Sequence, residues 1–380
     1  MKCGQMIMLP GKFGNMFEKL QATYKGKKVF LTGHTGFKGA WLLKIFNMLG
    51  AEVMGYALEP AYIDNLYNLI EGDDLCRSVI ADLRDSKKLI DSIGTFQPDF
   101  VFHLAAQPLV RLSYQIPAET FEVNSIGTAY VLDGVRTLQK PCYCVLITTD
   151  KVYHNYEWDY PYREIDRLGG YDPYSASKAC TELVIDSYRN SFFKTNAFSH
   201  HQKAIAVGRA GNVIGGGDWA KDRLIPDIVR ALSNGKKIEI RNPDSIRPWQ
   251  HVLEPLKGYL MLGAKLADEP SQFSDAYNFG PAFTDALPVS QMVDLALNCW
   301  GGGEYFVPHL TDQPHEAGLL KLDISKAINQ LGWTPTMNAI EAVLTTISWY
   351  QSFYSNRNEI INITEQQISN FLKAINNVEN

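Results

Sequence analysis

A tyrosine and a lysine stand four residues apart in Tyr174-Ser175-Ala176-Ser177-Lys178, which places them on one face if the segment is helical. Such a pair can do acid–base chemistry on an alcohol. A free phenol titrates near pH ~10, so acting as a base at neutral pH takes roughly 3 units of depression, about 4 kcal/mol. An adjacent ammonium works in that direction. The competing reading is an ordinary surface pair, because the spacing also arises by chance. A second set lies upstream, where the apolar run Tyr143–Ile147 ends in Thr148-Thr149-Asp150-Lys151-Val152-Tyr153. Polar groups at the carboxyl end of a buried strand face the crevice in which open α/β sheets bind ligands. There Thr149 can hydrogen-bond a substrate hydroxyl and Asp150 can shuttle a proton. The alternative for Asp150 and Lys151 is a neutralised pair at a strand end.

Those groups need an acceptor, and the chain offers a place for one. Thr32-Gly33-His34-Thr35-Gly36-Phe37-Lys38-Gly39 fits GxxGxxG directly after a β-rich run and opens a helical one. The glycines permit a tight turn and close approach of the backbone to a pyrophosphate, which the free N–H groups of the helix start then bind. Glu59 is the only carboxylate near the end of the second strand, and no arginine follows that strand. This favours NAD over NADP, although Lys38 argues the other way.

The elements that must position these residues alternate. Strands are expected near residues 28–31, 52–58, 78–83, 100–106 and 143–148, and helices near 38–49, 86–93, 118–138 and 174–193. A further strand at 203–213 runs into Gly215-Gly216-Gly217. Nearly continuous apolar strands between helices mean βαβ units and a parallel sheet buried on both faces. The expected fold is therefore α/β, a Rossmann-like doubly wound parallel sheet with a smaller, mixed C-terminal substrate-binding domain. Residues 1–26, interrupted by glycine and proline, read as an N-terminal extension. Residues 27–205 read as the dinucleotide-binding domain, and 206–380 as mainly the substrate domain with some segments returning to the sheet.

Composition sets the outer limits. With 46% hydrophobic and 20% charged residues among 380, the chain is globular and not disordered. A net charge of −5 gives no basic field for nucleic acid or an anionic membrane, so phosphate binding has to be local. No apolar run has the length of a membrane span, and the first ten residues lack a signal peptide's apolar region and cleavage site. Six scattered cysteines without a CxxC pair point to a reducing cytoplasm and away from disulfides or zinc. His200-His201 lies without other metal-type neighbours, so no metal is expected.

Taken together, these motifs resemble the extended short-chain dehydrogenase/reductase superfamily, and within it the CDP-glucose 4,6-dehydratases. The resemblance runs from about residue 27 to 349. It rests on the glycine turn at 33–39, His103-Leu-Ala-Ala-Gln-Pro-Leu-Val-Arg111, Thr148 to Tyr153, Tyr174 to Lys178, Arg209 to Trp219, Arg247-Pro-Trp-Gln-His251 and Leu331-Gly-Trp-Thr-Pro335. The Thr-Asp-Lys run discriminates within the superfamily: dehydratases of dTDP-glucose carry Thr-Asp-Glu there, and epimerases usually lack the aspartate.

The resemblance implies a tightly held NAD, used and regenerated within one turnover, and a nucleotide-sugar substrate, CDP-glucose. Tyr174 would take the C4 hydroxyl proton, Thr149 would support that hydroxyl, and Lys178 would hold the cofactor ribose and lower the tyrosine. Asp150 would be the acid for the departing C6 hydroxyl. Lys151 would be the C5 base only if neutral, which needs burial or a neighbouring cation; otherwise it would stabilise the enolate as a charge. For the cofactor, the resemblance implies Gly33, Thr35, Gly36, Phe37 and Gly39 at the pyrophosphate, Asp82 and Leu83 at the adenine, and Ala105 and Gln107 beside the ribose and nicotinamide. For the substrate it implies Asn212, Arg223 and Arg247. Asn124 would brace backbone, His103 and His251 would be structural, and Trp249 would stack on a base or fill core. The helices near 118–138 and 174–193 would pair into a homodimer or homotetramer. An epimerase, a dehydratase of another nucleotide sugar, and a non-catalytic nucleotide-binding relative remain as alternatives.

Overall fold

Val29 and Leu31 bury themselves on one side of the first strand and Phe30 on the other, as a period of two requires when both faces are covered. In the computed structural model, which describes residues 16–308 and 319–374 apart from 284 and 286, this strand lies inside a seven-stranded parallel sheet. Its strands are β1 (Lys28–Thr32), β2 (Glu52–Ala57), β3 (Arg77–Ile80), β4 (Phe100–His103), β5 (Cys142–Ile147), β6 (Lys203–Ala210) and β7 (Ala276–Phe279), in the order β7-β6-β5-β4-β1-β2-β3. The order reverses between β1 and β4, where Thr32 sits opposite His103, and the carboxyl-edge crevice opens there. The fold class expected from the sequence is the one observed.

Helices cover both faces. They are α1 (Met16–Tyr24), α2 (Phe37–Leu49), α3 (Ser86–Phe96), α4 (Pro117–Phe121, Glu122–Ile126 and Gly127–Thr137), α5 (Pro173–Ser191), α6 (Leu224–Ser233), α7 (Leu253–Asp268), α8 (Val289–Trp300), α9 (Ala339–Ser355) and α10 (Ile360–Ala374). The middle segment of α4, Glu122–Ile126, is a π turn, a feature that favours functional sites. α5 starts at Asp172, whose carboxylate accepts from the Ser175 N–H at 3.0 Å and the Ser175 hydroxyl at 2.6 Å. Pro173 occupies the first helical position, where its missing N–H costs nothing. This cap fixes Tyr174 at the helix start, over the sheet edge.

Of the extension expected before residue 27, residues 1–15 lie outside the described residues, and α1 is packed rather than loose. Tyr24 is fully buried, donates to the Leu260 carbonyl at 2.7 Å and meets Phe46, Phe100 and Phe102 ring to ring. The Gly215-Gly216-Gly217 loop is a packing feature as well: a Cβ on Gly216 would fall 2.0 Å from Trp349 in α9. Trp41 Nε1 donates to the Gly216 carbonyl at 3.0 Å. Among the described residues no helix is long and apolar enough to cross a membrane, and Cys76, Cys142, Cys144 and Cys180 form no disulfide with one another.

Candidate active site

The glycine turn follows β1 directly. The Gly33 N–H donates to the Tyr56 carbonyl at 2.9 Å and the Gly36 N–H to the Gly33 carbonyl at 3.0 Å. Gly33 has φ +76°, and a Cβ there would stand 2.8 Å from the Ala105 nitrogen. On Gly39 a Cβ would fall 1.9 Å from the Gly33 oxygen, so only glycine lets α2 start this close to the turn. Gly36 caps α2 with no side-chain hydrogen bond, which leaves the helix's first N–H groups for a ligand. The donor set and the backbone clearance fit a dinucleotide pyrophosphate. Thr35 is tied to the Leu58 carbonyl at 2.8 Å. His34 supports the turn from beneath through Ser78 at 2.8 Å, and burial lowers it to about 4.

Across the crevice, the Thr32 hydroxyl accepts from the Leu104 and Ala105 N–H groups, both at 3.1 Å. His103 is held through both ring nitrogens, by Thr32 at 2.7 Å and Thr128 at 2.9 Å, and burial lowers it to about 3. His251 is likewise buried and lowered to about 3. Asn124 projects from the π turn: its side chain accepts from the Gln107 N–H at 2.8 Å and donates to Ser177 at 2.8 Å. Gln107 spends its own amide on the Leu109 carbonyl at 3.2 Å and Thr120 at 3.0 Å, and its backbone carbonyl accepts from Asn124 at 3.2 Å. Asp82 is engaged too. Arg84 grips its carboxylate at 2.7 and 3.0 Å and holds it below the usual carboxylate range, and the Asp82 carbonyl accepts from the Tyr56 hydroxyl at 3.0 Å and the Asp85 N–H at 3.1 Å.

A cavity of about 1610 Å³ runs from the glycine turn past β5 to the N-terminus of α6. That exceeds what one small ligand fills. Gly33, Thr35, Gly36, Phe37, Gly39, Asp82, Leu83, Ala105, Gln107, Thr149, Asp150, Lys151, Tyr174, Lys178, Asn212 and Arg223 all line it. The side chain of Arg247 lies outside what the structure describes. Trp249 lines the cavity and is also part of the core.

At its centre the Tyr174 hydroxyl is hydrogen-bonded to Thr149, and Thr149 donates to Asp150 Oδ1 at 2.9 Å. Burial pushes Tyr174 up to about 12, against the Thr149 hydrogen bond and the Arg223 charge, which favour the phenolate. Lys178 is not among the groups acting most strongly on the phenol. Its ammonium donates to the Ile147 carbonyl at 3.2 Å, and burial brings it to about 8, opposed by Glu182. Lys151 pairs with Asp150 at 3.3 Å, and its side chain is 33% exposed. Arg223, the N-cap residue of α6, pairs with Asp218 at 2.8 Å.

The comparisons with known proteins agree with this geometry. The profile described as GDP-mannose 4,6 dehydratase matches residues 30–346. The chain belongs to the GDP-mannose 4,6 dehydratase family. It is 47% identical to a CDP-glucose 4,6-dehydratase of Salmonella typhimurium, over 92% of this chain and 98% of that protein. It is 27% identical to a dTDP-glucose 4,6-dehydratase of Streptomyces antibioticus, over 85% of this chain and 92% of that one. In fold it resembles a dTDP-glucose 4,6-dehydratase of Streptomyces venezuelae solved with NAD bound, with a TM-score of 0.72 and 21% identity over 88% of this chain and 99% of the other.

Several charged residues of this GDP-mannose 4,6 dehydratase family member went unassigned in the sequence reading. Arg84, Arg111 and Arg241 line the cavity, and Asp222 pairs with Arg241 at 3.4 Å and Arg111 at 3.8 Å. Arg111 ends a motif quoted for the resemblance, which was the available signal; Arg241 had none. Lys38 lines the same cavity and had been weighed only as an argument about the cofactor's second phosphate.

Proposed function

We propose that this chain is an NAD-dependent hydro-lyase that converts CDP-D-glucose to CDP-4-keto-6-deoxy-D-glucose and water. The observation that carries the reading is the convergence of Thr149, Asp150, Lys151, Tyr174 and Lys178 in one cavity that begins at a glycine turn. The 47% identity to a relative of that name supports the substrate. Bound at the turn, NAD would supply the oxidation at C4 and the later reduction at C6. Gly33, Gly36, Phe37 and Gly39 hold its pyrophosphate through backbone, with Thr35 fixing the turn. The 82–83 backbone receives the adenine, Ala105 and Gln107 flank the ribose and nicotinamide, and Lys178 binds the ribose.

Tyr174 takes the proton of the C4 hydroxyl, for which the phenol must first lose its own. The line from Tyr174 through Thr149 to Asp150 gives that proton a recipient: as phenolate forms, Asp150 is loaded. A protonated Asp150 is then the acid that lets the C6 hydroxyl leave as water, once the 4-keto group has acidified C5. Lys151, ion-paired with Asp150, supplies a positive charge for the enolate that forms as the C5 proton passes to water in the cavity, and a solvent proton returns to C5 when C6 is reduced, which is why deuterium is expected there. Asn212, Arg223 and Arg247 take the substrate's diphosphate side, where Arg is suited to bidentate grip. Incubation with CDP-, UDP- and dTDP-glucose in deuterated water tests this by product mass and NMR. Water loss with deuterium at C5, fastest for CDP-glucose, is expected. Inversion without water loss would make it an epimerase, and no turnover a binding protein.

The same reading places the protein in the cytoplasm, making precursors for deoxysugars of surface polysaccharide such as O-antigen and lipopolysaccharide. It also makes the chain a homodimer or homotetramer joined through α4 and α5, on which Ile126, Leu183 and Phe192 are exposed by 45%, 61% and 44%. A monodisperse monomer at micromolar concentration would contradict that assembly.

A further inference from the structure

Lys38 is the second residue of α2, inside the first turn, where the helix dipole disfavours a cation. No acidic residue shares that turn. The charged groups facing its amine are Asp150 and Lys151 from the turn after β5, Lys178 from α5 and Arg223 from the cap of α6. Each of the other cations has a partner within the protein: Lys151 has Asp150, Lys178 has the Ile147 carbonyl and Arg223 has Asp218. The Lys38 amine makes no hydrogen bond or ion pair among the described residues. Asp150, the carboxylate that opposes those charges at the amine, is already shared by Thr149 and Lys151.

A half-buried cation set against a helix dipole and beside three others costs the fold stability. An apolar side chain would line this wall without that cost. The arrangement becomes favourable only when an anion enters between the glycine turn and Arg223. We propose that Lys38 is a further ligand-binding residue of this site, its ammonium held for a diphosphate rather than for any group of the protein. This rests on the nucleotide-sugar dehydratase reading above and adds a residue to it. Two diphosphates reach this place under that reading, the cofactor's at the turn and the substrate's from the Arg223 side.

The electrostatics give the binding a proton signature. Burial, then the charges of Arg223, Lys178 and Lys151 against Asp150, lower the Lys38 amine to about 7. An arriving diphosphate reverses that balance, so the amine takes up a proton as the ligand binds. Affinity is then greatest below about pH 7 and falls as pH rises through it.

Calorimetric titration of the full-length protein, stripped of nucleotide, tests this with NAD, CDP and inorganic pyrophosphate. Each is run at pH 6.5 and 8.5 in two buffers of different ionisation enthalpy. The wild type is expected to take up a proton with at least one ligand. Lys38→Met is expected to bind that ligand roughly tenfold to a hundredfold more weakly, without proton uptake. Lys38→Arg, permanently charged, should keep the affinity and lose its pH dependence. An effect confined to NAD assigns the residue to the cofactor, and one confined to CDP assigns it to the substrate. Lys38-dependent binding of pyrophosphate without binding of NAD or CDP would remove the nucleotide-sugar reading and leave this one standing. Wild-type affinity of Lys38→Met for all three ligands would overturn it. So would a lower melting temperature of that variant without ligand, which would make the residue structural.

Discussion

Two charged clusters meet at the carboxyl ends of β5 and β6, and they are built on opposite principles. In the first, Glu182 and Arg209 are both almost fully buried and pair through two contacts at 2.9 and 3.0 Å. Thr148 adds a third bond to the carboxylate at 2.5 Å, and Tyr153 and the Glu164 carbonyl take the remaining guanidinium N–H at 2.8 and 3.0 Å. Charge and hydrogen bonds close within the protein, so the cluster locks α5 to β6 and offers a ligand nothing. In the second, the Lys38 amine meets the charges of Arg223, Lys178 and Lys151 against that of Asp150, a cationic field that an incoming anion relieves. Satisfaction marks structure, and a standing imbalance beside a cavity marks function. One residue separates them along the strand end: Thr148 serves the closed cluster and Thr149 the open one.

The sharpest way to break the contrast is Tyr174→Phe. Turnover of CDP-glucose is expected to fall by roughly 10²–10⁴, with the urea midpoint nearly unchanged; an equal loss of stability would move Tyr174 into the structural set. Glu182→Gln should do the reverse, leaving Arg209 buried without its counter-charge at a cost of about 3–5 kcal/mol in denaturation. Adding Arg209→Met should return part of that loss, and the absence of any recovery would mean the pair is not the unit described. Lys151→Ala comes next. As a partly exposed pair it is expected to change stability by no more than about 0.5 kcal/mol while slowing turnover at least ~10-fold, the lower end for loss of one charge contact in a reacting site. Full turnover in that variant removes Lys151 from the mechanism.

The last effect is a matter of pH. Folding lowers Lys38 from 10.5 to about 7, so between those values the unfolded chain binds more protons and the cost of the lysine shrinks as pH rises. Without nucleotide, Lys38→Met should exceed the wild type in stability most clearly below pH 7. The gap should close toward pH 10, and a gap constant with pH would place the amine outside the cluster's field.

Much of this was legible in the residues. Continuous apolar runs such as Phe100-Val101-Phe102 could only be strands covered on both faces, and the glycine spacing declared a turn whose backbone clearance the structure accounts for at Gly33 and Gly39. Thr149 and Asp150 were placed by the rule that strand ends face the crevice, and Tyr174 by its spacing from Lys178 and by the resemblance. What escaped was mostly direction. The position of Lys178 on a helix face does not say that its amine turns to the Ile147 carbonyl, because the neighbouring strand decides it. Asp82 stood at a strand end, but its capture by Arg84 depends on a local turn that no periodicity reports. Glu182 and Arg209 lie 27 residues apart on different elements, and nothing local in either segment announces the other. Residues 16–24 looked like the end of an appendage because the value of Tyr24 lies in rings contributed by α2 and β4.

The π turn in α4 has an implication for how such a chain can change over generations. It holds one residue more than an α-helix of the same span, so the apolar stripe shifts phase at Asn124 and the two halves of α4 address different neighbours. The surplus residue also turns the Asn124 carbonyl toward the hydroxyls of Thr128 and Thr181, while its side chain anchors the loop at Gln107. Losing one residue there would restore an unbroken helix, swing Asn124 away by about 100° and unmoor that loop, with every other residue still in place. Descent could exchange side chains along this helix far more freely than it could alter its length.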